Sequence, residues 1–116
     1  MKAFVASICI IAVFTGLIIA NAIYINKVAD DLILATNDVK MDTGCEKLRS
    51  LWESKRLIIS LCANHKEIDK IQEQIALMEN AIKNDEPLEL KRAMVLFIEY
   101  TNNIKRHEEL TLDNIL

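Results

Sequence analysis

Hydrophobic residues fill the first part of the chain without interruption. From Phe4 to Ile25 the sequence carries no charged residue, and its strongly polar members are Ser7, Thr15 and Asn21. A helix needs roughly 20 apolar residues to cross a bilayer core of about 30 Å, whereas a surface helix in water needs a polar face. The pattern therefore predicts a transmembrane helix that holds residues 4–25 in the lipid bilayer.

Two alternatives compete with a permanent anchor. Ala20-Asn21-Ala22 has the small-x-small form that signal peptidases accept, so cleavage after Ala22 is one alternative. The other is a soluble protein that buries the segment. The apolar run exceeds the 7–15 residues that are usual in a signal peptide, and Lys2 is the one charged side chain before it. We therefore expect the segment to be retained.

Charge gives a small indication of membrane orientation. Lys2 precedes the span, and Lys27 and Lys40 lie after it, so the bias of basic residues towards the cytoplasmic side is small. A two-residue tail before a span is typical of a signal anchor that exports the C-terminal part of the chain. We expect a single-pass protein of the cell membrane whose C-terminal part, residues 27–116, is extracytoplasmic.

After the anchor, the apolar positions are spaced as in packed helices. They lie three and four residues apart, a pattern that repeats about every 3.5 residues and predicts helix-on-helix packing. These positions are Asn21, Ile25, Val28, Leu32, Ala35 and Val39. The first helix of the bundle is therefore predicted over residues 27–41.

Two more helices are predicted. Thr43 and Glu46 have the spacing of a capping box, which favours a second helix over 44–83. The sequence Asn84-Asp85-Glu86-Pro87 ends that helix, and proline suits the first turn of a third helix over 87–109.

The predicted fold class is all-α. Two Gly and one Pro in 116 residues are too few for the turns of a sheet protein, and the length suits one domain. The expected organisation is a transmembrane anchor, 1–26, that continues into a small antiparallel, coiled-coil-like bundle of three helices, 27–116, with an apolar C-terminal tail.

The predicted second and third helices can be checked against each other. In an antiparallel hairpin, the residues that face each other have numbers of nearly constant sum. Five layers fit one register: Ile82 with Leu90, Met78 with Met94, Ile75 with Phe97, Ile71 with Thr101, and Ile68 with Ile104.

The first and second helices fit a similar register with one mismatch. Val39 would face Leu48, Ala35 would face Trp52, Val28 would face Ile59, and Ile25 would face Cys62. Leu32 would face Lys55, whose stem can lie on apolar surface while its ammonium stays in water.

These registers bring the second helix back to the membrane near Cys62. The next segment, HKEIDKIQEQ, is charged and cannot enter lipid without a large cost. The chain must therefore bend, either in the first helix at Asn26 or in the second at Asn64, where Asn64 and Glu67 have the spacing of a new helix cap.

Candidate chemistry is sparse. His65 and His107 fall in one layer of the hairpin register, and two imidazoles with a nearby carboxylate could hold a divalent metal or respond to pH. The spacing matches no established metal signature. The competing interpretation is a polar, partly hydrated layer at the open end of the hairpin. We expect no metal, no cofactor and no catalytic residues, because neither a nucleophile motif nor a phosphate-binding loop is present.

The cysteine spacing argues against a disulfide-bonded protein, and the net charge argues against a nucleic-acid-binding protein. Cys45 and Cys62 lie roughly 25 Å apart along one predicted helix, far beyond disulfide reach, and Cys9 lies in the span. We therefore expect free, mostly buried thiols. The net charge of −3 provides no basic footprint for nucleic acid.

Some apolar residues lie outside the predicted helix–helix interfaces, which indicates a partner. Leu57, Leu61 and Leu77 lie off or beside the seams, which makes them candidate docking positions. The apolar tail LTLDNIL is expected to cover the end of the bundle or to touch lipid.

Four segments together resemble a family. The chain is similar to a domain-of-unknown-function family of short, membrane-anchored proteins from spore-forming Gram-positive bacteria. The resemblance rests on IYINKVADDL, SLWESKRLIIS, NHKEIDKI and EELTLDNIL. It implies an anchored helical protein without an assigned activity, and relatives encoded beside multi-spanning membrane proteins imply an accessory role.

The functional prediction is a non-enzymatic accessory or interaction module. Its exported bundle would bind another membrane protein or a second copy of itself. The alternative is a membrane-anchored bundle that senses a ligand or metal through His65 and His107.

Overall fold

Helices form nearly the whole chain. The structure is a computed structural model that describes the backbone of residues 1–115 and the side chains of residues 1–61 and 63–107. Within this part the fold is an all-α bundle, as predicted, with four α-helices: α1 (Lys2–Ala35), α2 (Glu46–Cys62), α3 (His65–Lys83) and α4 (Pro87–Ile115).

The first half of α1 lies outside the bundle. Residues 1–14 are all exposed, and the first buried residue is Ala22. At 1.5 Å per residue, residues 2–21 form a rod of about 30 Å, and α1 is long and apolar enough to cross a membrane. The longest dimension of the molecule, 69 Å against 22 and 21 Å across, reflects this projecting rod.

The second half of α1 packs into the core. Ile25, Val28 and Leu32 are buried, as their spacing predicts. Asn21 was expected on the same seam but is exposed, and Ala22 is buried in its place. The bundle therefore begins inside the segment that the sequence assigned to the anchor, since Ala22 and Ile25 belong to both.

The helix α1 ends at Ala35, earlier than the predicted end at Met41. A 3-10 turn, Thr36–Asp38, comes next, and Thr36 Oγ1 donates a hydrogen bond of 2.6 Å to the carbonyl oxygen of Ile33. Thr, Asn and Asp bond to nearby backbone and so compete with helix propagation. The backbone then turns at Gly44, whose φ of 76° suits glycine.

The predicted capping box at Thr43 and Glu46 is wrong. Cys45 is the N-cap of α2, and no side chain caps that end. Thr43 instead donates a hydrogen bond of 3.2 Å to the carbonyl oxygen of Asp38, which ties the loop back to the 3-10 turn. Spacing alone therefore misassigned a hydroxyl that has a different acceptor.

The predicted helix over 44–83 is two helices, and the break lies at Asn64. Ala63 and Asn64 are both extended, so the chain reverses direction between α2 and α3. The Asn64 side chain accepts a hydrogen bond of 3.0 Å from the backbone N–H of Lys66, as an N-cap residue does. Of the two predicted bends, the one at Asn64 is present, whereas α1 runs through Asn26 without a break.

A Schellman motif joins α3 to α4. The N–H of Glu86 donates to Ala81 O at 2.8 Å and that of Asp85 to Ile82 O at 3.3 Å, with Asp85 in the left-handed region at φ 55°. Pro87 then begins α4, as predicted. All ten side chains of the predicted hairpin register are buried or half-buried.

The helices pass up and down through the bundle in turn. Ion pairs join Arg49 of α2 to Glu79 of α3, and Lys105 of α4 to Asp30 of α1 at 2.8 Å. The helix α4 continues to Ile115, past the predicted end at 109, so most of the expected C-terminal tail is helical. The side chains of that tail lie outside the described residues.

One continuous core fills the bundle. Its largest fully buried side chains come from all four helices and include Trp52, Phe97, Ile25, Leu48 and Ile75. We call the end of the bundle that holds Ala22 and Asn64 the base, because α1 enters the core there and α2 returns there.

Loss of the cap at Asn64 should destabilise the bundle. We expect Asn64→Ala to lower the free energy of unfolding by about 1 kcal/mol, since an N-cap hydrogen bond is lost. Urea unfolding of the full chain in a mild non-ionic detergent, monitored by circular dichroism, measures this.

Asn102→Ala is the matched control for that variant. Asn102 lies in the middle of α4, where alanine is the better helix former, so its substitution should be neutral or slightly stabilising. Equal stabilities of Asn64→Ala and the wild-type chain would contradict the break at Asn64.

Candidate docking surface

The outer face of α2 exposes two leucines near the base. The buried face of α2 carries Leu48, Trp52 and Ile59, and Leu57 and Leu61 lie on the opposite side of the helix. Their exposed fractions are 73% and 79%. Because they are four residues apart, they form one apolar stripe, which we call the α2 stripe.

A groove between α2 and α3 borders this stripe. It has a volume of about 450 Å³, and both Leu57 and Ile68 contribute apolar surface to it. Charged side chains surround that surface, including Glu53 and Arg56, which form an exposed ion pair at 3.8 Å. An apolar strip with a charged rim is a typical composition for a protein-binding surface.

Leu77 lies on a different face. It is 45% exposed and lines a groove of about 100 Å³ between α3 and α4. Gln74 lines the same groove, and its buried Oε1 has no hydrogen-bond partner in the described part of the chain. The three leucines predicted as docking positions therefore belong to two surfaces, and Leu57 and Leu61 alone form a stripe.

The two histidines are exposed at the base end of the bundle. His65 begins α3 and lines the groove between α2 and α3, whereas His107, on α4, is not among the residues that line it. Among the described residues, no group of three or more His, Cys, Asp and Glu side chains could hold a metal ion. The sensing alternative stays a prediction.

A contact between α1 and α2 was missed by sequence reasoning. The ammonium of Lys55 donates a hydrogen bond of 3.3 Å to the hydroxyl oxygen of Tyr24, and lies 5.7 Å from the centre of the same ring. Lys55 was expected opposite Leu32. The signal was present in the sequence, because a lysine at an apolar seam position must extend its ammonium to a polar group elsewhere.

A second lysine–tyrosine pair makes a similar cation–π contact. The ammonium of Lys70, on α3, lies 5.6 Å from the ring centre of Tyr100, on α4. Both are cation–π contacts of the ordinary kind. They differ in position, since Tyr24 is two residues beyond the first buried residue of α1, whereas Lys70 is more than one helical turn into the bundle from the base.

Comparison with known proteins gives the family. Residues 24–115 match DUF4363, a domain of unknown function. The chain belongs to this family. The predicted membership of an uncharacterised family is thus confirmed, and the matching region corresponds to the bundle without the exposed rod. No curated protein and no solved structure matches the chain.

The thiols of this DUF4363 protein differ in environment. Cys9 is exposed on the rod, and Cys45 is buried beside a loop cavity of about 320 Å³. Both are free thiols. The side chain of Cys62 lies outside the described residues. Burial, reinforced by the negative charge of Glu79, raises the pKa of the Cys45 thiol. Cys45 is therefore a protonated, structural thiol at neutral pH.

The stability of the bundle should fall above the ordinary pKa of a thiol. The unfolded chain loses the Cys45 proton near pH 8.5, whereas the folded chain keeps it to higher pH. The stability contributed by this group is therefore complete below that pH and is lost as the pH rises through the folded pKa.

The measurement is the melting temperature of the full chain at pH 7.5 and 9.5. We expect the decrease to be smaller for Cys45→Ala than for the wild-type chain, and unchanged for Ser50→Ala, which alters an exposed position on the same helix. Equal decreases in all three proteins would show that Cys45 does not contribute.

Proposed function

We propose that this DUF4363 protein is a non-enzymatic, single-span membrane protein. Its extracytoplasmic bundle acts as an accessory or interaction module for another membrane protein. The observation that carries this proposal is the division of α1 at Ala22 into an exposed apolar rod and a half that packs in the core.

The rod supports a retained anchor. Large apolar side chains such as Phe4, Ile11 and Phe14 are more than 60% exposed on it. In water that surface would be costly to hydrate, whereas lipid is a suitable solvent for it. The rod's length of about 30 Å also equals the thickness of a bilayer core.

The alternative cleavage site lies within the packed part of α1. Ala22 is fully buried inside an uninterrupted helix, so cleavage after it would remove a residue of the core. This packing favours retention over the alternative in which the chain begins at Ile23.

The α2 stripe supports an interaction role. Leu57 and Leu61 lie near the base, and they are therefore held at the membrane surface by the anchor. Tethering raises the effective concentration of the bundle for a partner in the same membrane, so a small apolar stripe with a charged groove beside it can be sufficient for binding.

The anchor is tested by cell fractionation with intact-mass measurement. We expect the full chain, beginning at Met1, in the membrane fraction after washing with carbonate, because a helix of about 20 apolar residues is not released by high pH. A chain that begins at Ile23, or one recovered in the soluble fraction, would refute the proposal.

The docking role is tested by crosslinking in the membrane. A photo-reactive amino acid at position 61 should produce one crosslinked product with a different membrane protein. Leu57→Ser with Leu61→Ser should reduce recovery of that protein about tenfold, since apolar contacts of this size contribute about 1–2 kcal/mol.

Position 88 provides the matched control. Leu88 is 81% exposed but lies in the first turn of α4, at the end of the bundle away from the base. Leu88→Ser should leave recovery unchanged. Crosslinks that contain this chain alone would count against an accessory role.

A further inference from the structure

Lys55 is a half-buried cation that has no carboxylate partner among the described side chains. Within the described part of the chain its ammonium contacts Tyr24, through the hydroxyl at 3.3 Å and the ring at 5.7 Å. The other half-buried basic side chains of the described part, those of Arg49 and Lys105, form ion pairs with Glu79 and Asp30.

The pair lies at the edge of the proposed membrane span. Tyr24 comes two positions after the first buried residue of α1, or about 3 Å along the helix. The headgroup layer adds about 5–7 Å to each side of the hydrocarbon core. Under the proposed anchor, the Lys55 ammonium that contacts Tyr24 is therefore placed in the lipid headgroup layer.

The two side chains together supply donors for an anion. Lys55 donates one N–H to the Tyr24 oxygen, so the phenolic O–H and two ammonium N–H groups remain available as donors. Hydrogen bonds from a cation to phosphate are short and strong. Lys27, one turn further along α1 and exposed, adds positive charge nearby.

An apolar track leads from this pair into the membrane. Ala20, Leu17 and Val13 lie four, seven and eleven residues before Tyr24, which places them on one face of α1. Leu17 and Val13 are 61% and 62% exposed. From Tyr24 to Val13 the track is about 16 Å long, which is close to the length of a lipid acyl chain.

We propose that Tyr24 and Lys55 bind the phosphodiester of a bilayer lipid, whose acyl chain lies along Leu17 and Val13. This inference rests on the proposed membrane anchor. The site would fix the rotation of the bundle about α1, because the phosphate contacts α1 and α2 together. It is separate from the α2 stripe, which is the proposed protein-binding surface.

The pair Lys70–Tyr100 is the internal control. It has nearly the same distance from the ammonium to the ring centre, 5.6 Å, but joins α3 to α4 within the bundle. Removing either pair deletes one tyrosine hydroxyl and one ammonium, so the two double variants differ mainly in their position relative to the bilayer.

The experiment is native mass spectrometry of the full chain in a mild non-ionic detergent. Dioleoyl phosphatidylglycerol is titrated, with inorganic phosphate and dioleoylglycerol as separate competitors. We expect Tyr24→Phe with Lys55→Gln to bind the lipid about tenfold more weakly, as loss of charge-assisted hydrogen bonds costs at least about 1.4 kcal/mol. Tyr100→Phe with Lys70→Gln should bind it as the wild-type chain does.

Several results would overturn the proposal. They are equal lipid binding by all variants, competition by inorganic phosphate at the lipid's own concentration, and competition by dioleoylglycerol, which has no phosphate. Lys55→Arg retains the charge and should keep most of the binding. If it binds as weakly as Lys55→Gln while remaining folded by circular dichroism, the phosphate assignment fails.

Failure of this inference and failure of the anchor are distinguishable. Fractionation can place the full chain in the membrane while the lipid titration shows no dependence on Lys55, in which case only the lipid site is refuted. A chain that is soluble or cleaved before Ile23 refutes the anchor, whatever the titration shows.

Discussion

The structure depends on one continuous helix, α1, whose first part lies outside the bundle and whose second part packs in the core. Up to Asn21, α1 has no buried residue, and from Ala22 onward it contributes one face to the core. Because α1 is continuous, the depth of every other helix is fixed relative to the rod. If α2 continued straight past Cys62, the charged residues of α3 would lie alongside the apolar rod. The chain instead reverses direction there, and the N-cap at Asn64 begins the new helix.

Periodicity predicted the parts of the fold in which apolar contacts decide the structure. The predicted register of α3 and α4 places an apolar residue at every position except Thr101, and all ten of its side chains are buried or half-buried. The ends of helices were predicted less well. Thr36 and Thr43 each donate a hydrogen bond to a nearby carbonyl oxygen, and spacing alone does not identify which local acceptor such a hydroxyl uses.

The candidate surface was only partly predictable for a related reason. A sequence indicates that a leucine lies off a seam, but not which of the remaining faces it occupies. Once α2 and α3 separate at Asn64, Leu57 and Leu61 lie on the outside of one helix, whereas Leu77 lies in a groove between two others.

The one mismatch in the predicted register of the first and second helices, Lys55 opposite Leu32, marks a residue with a specific contact elsewhere. A lysine opposite Leu32 would interrupt an apolar seam, and this mismatch looked like a flaw in the predicted register. In the folded chain the stem extends to Tyr24, where the ammonium has a hydroxyl and an aromatic ring but no carboxylate among the described residues. A cation in this setting is incompletely neutralised by the protein. Its location beside the end of the apolar rod is the observation from which the proposed lipid site is argued.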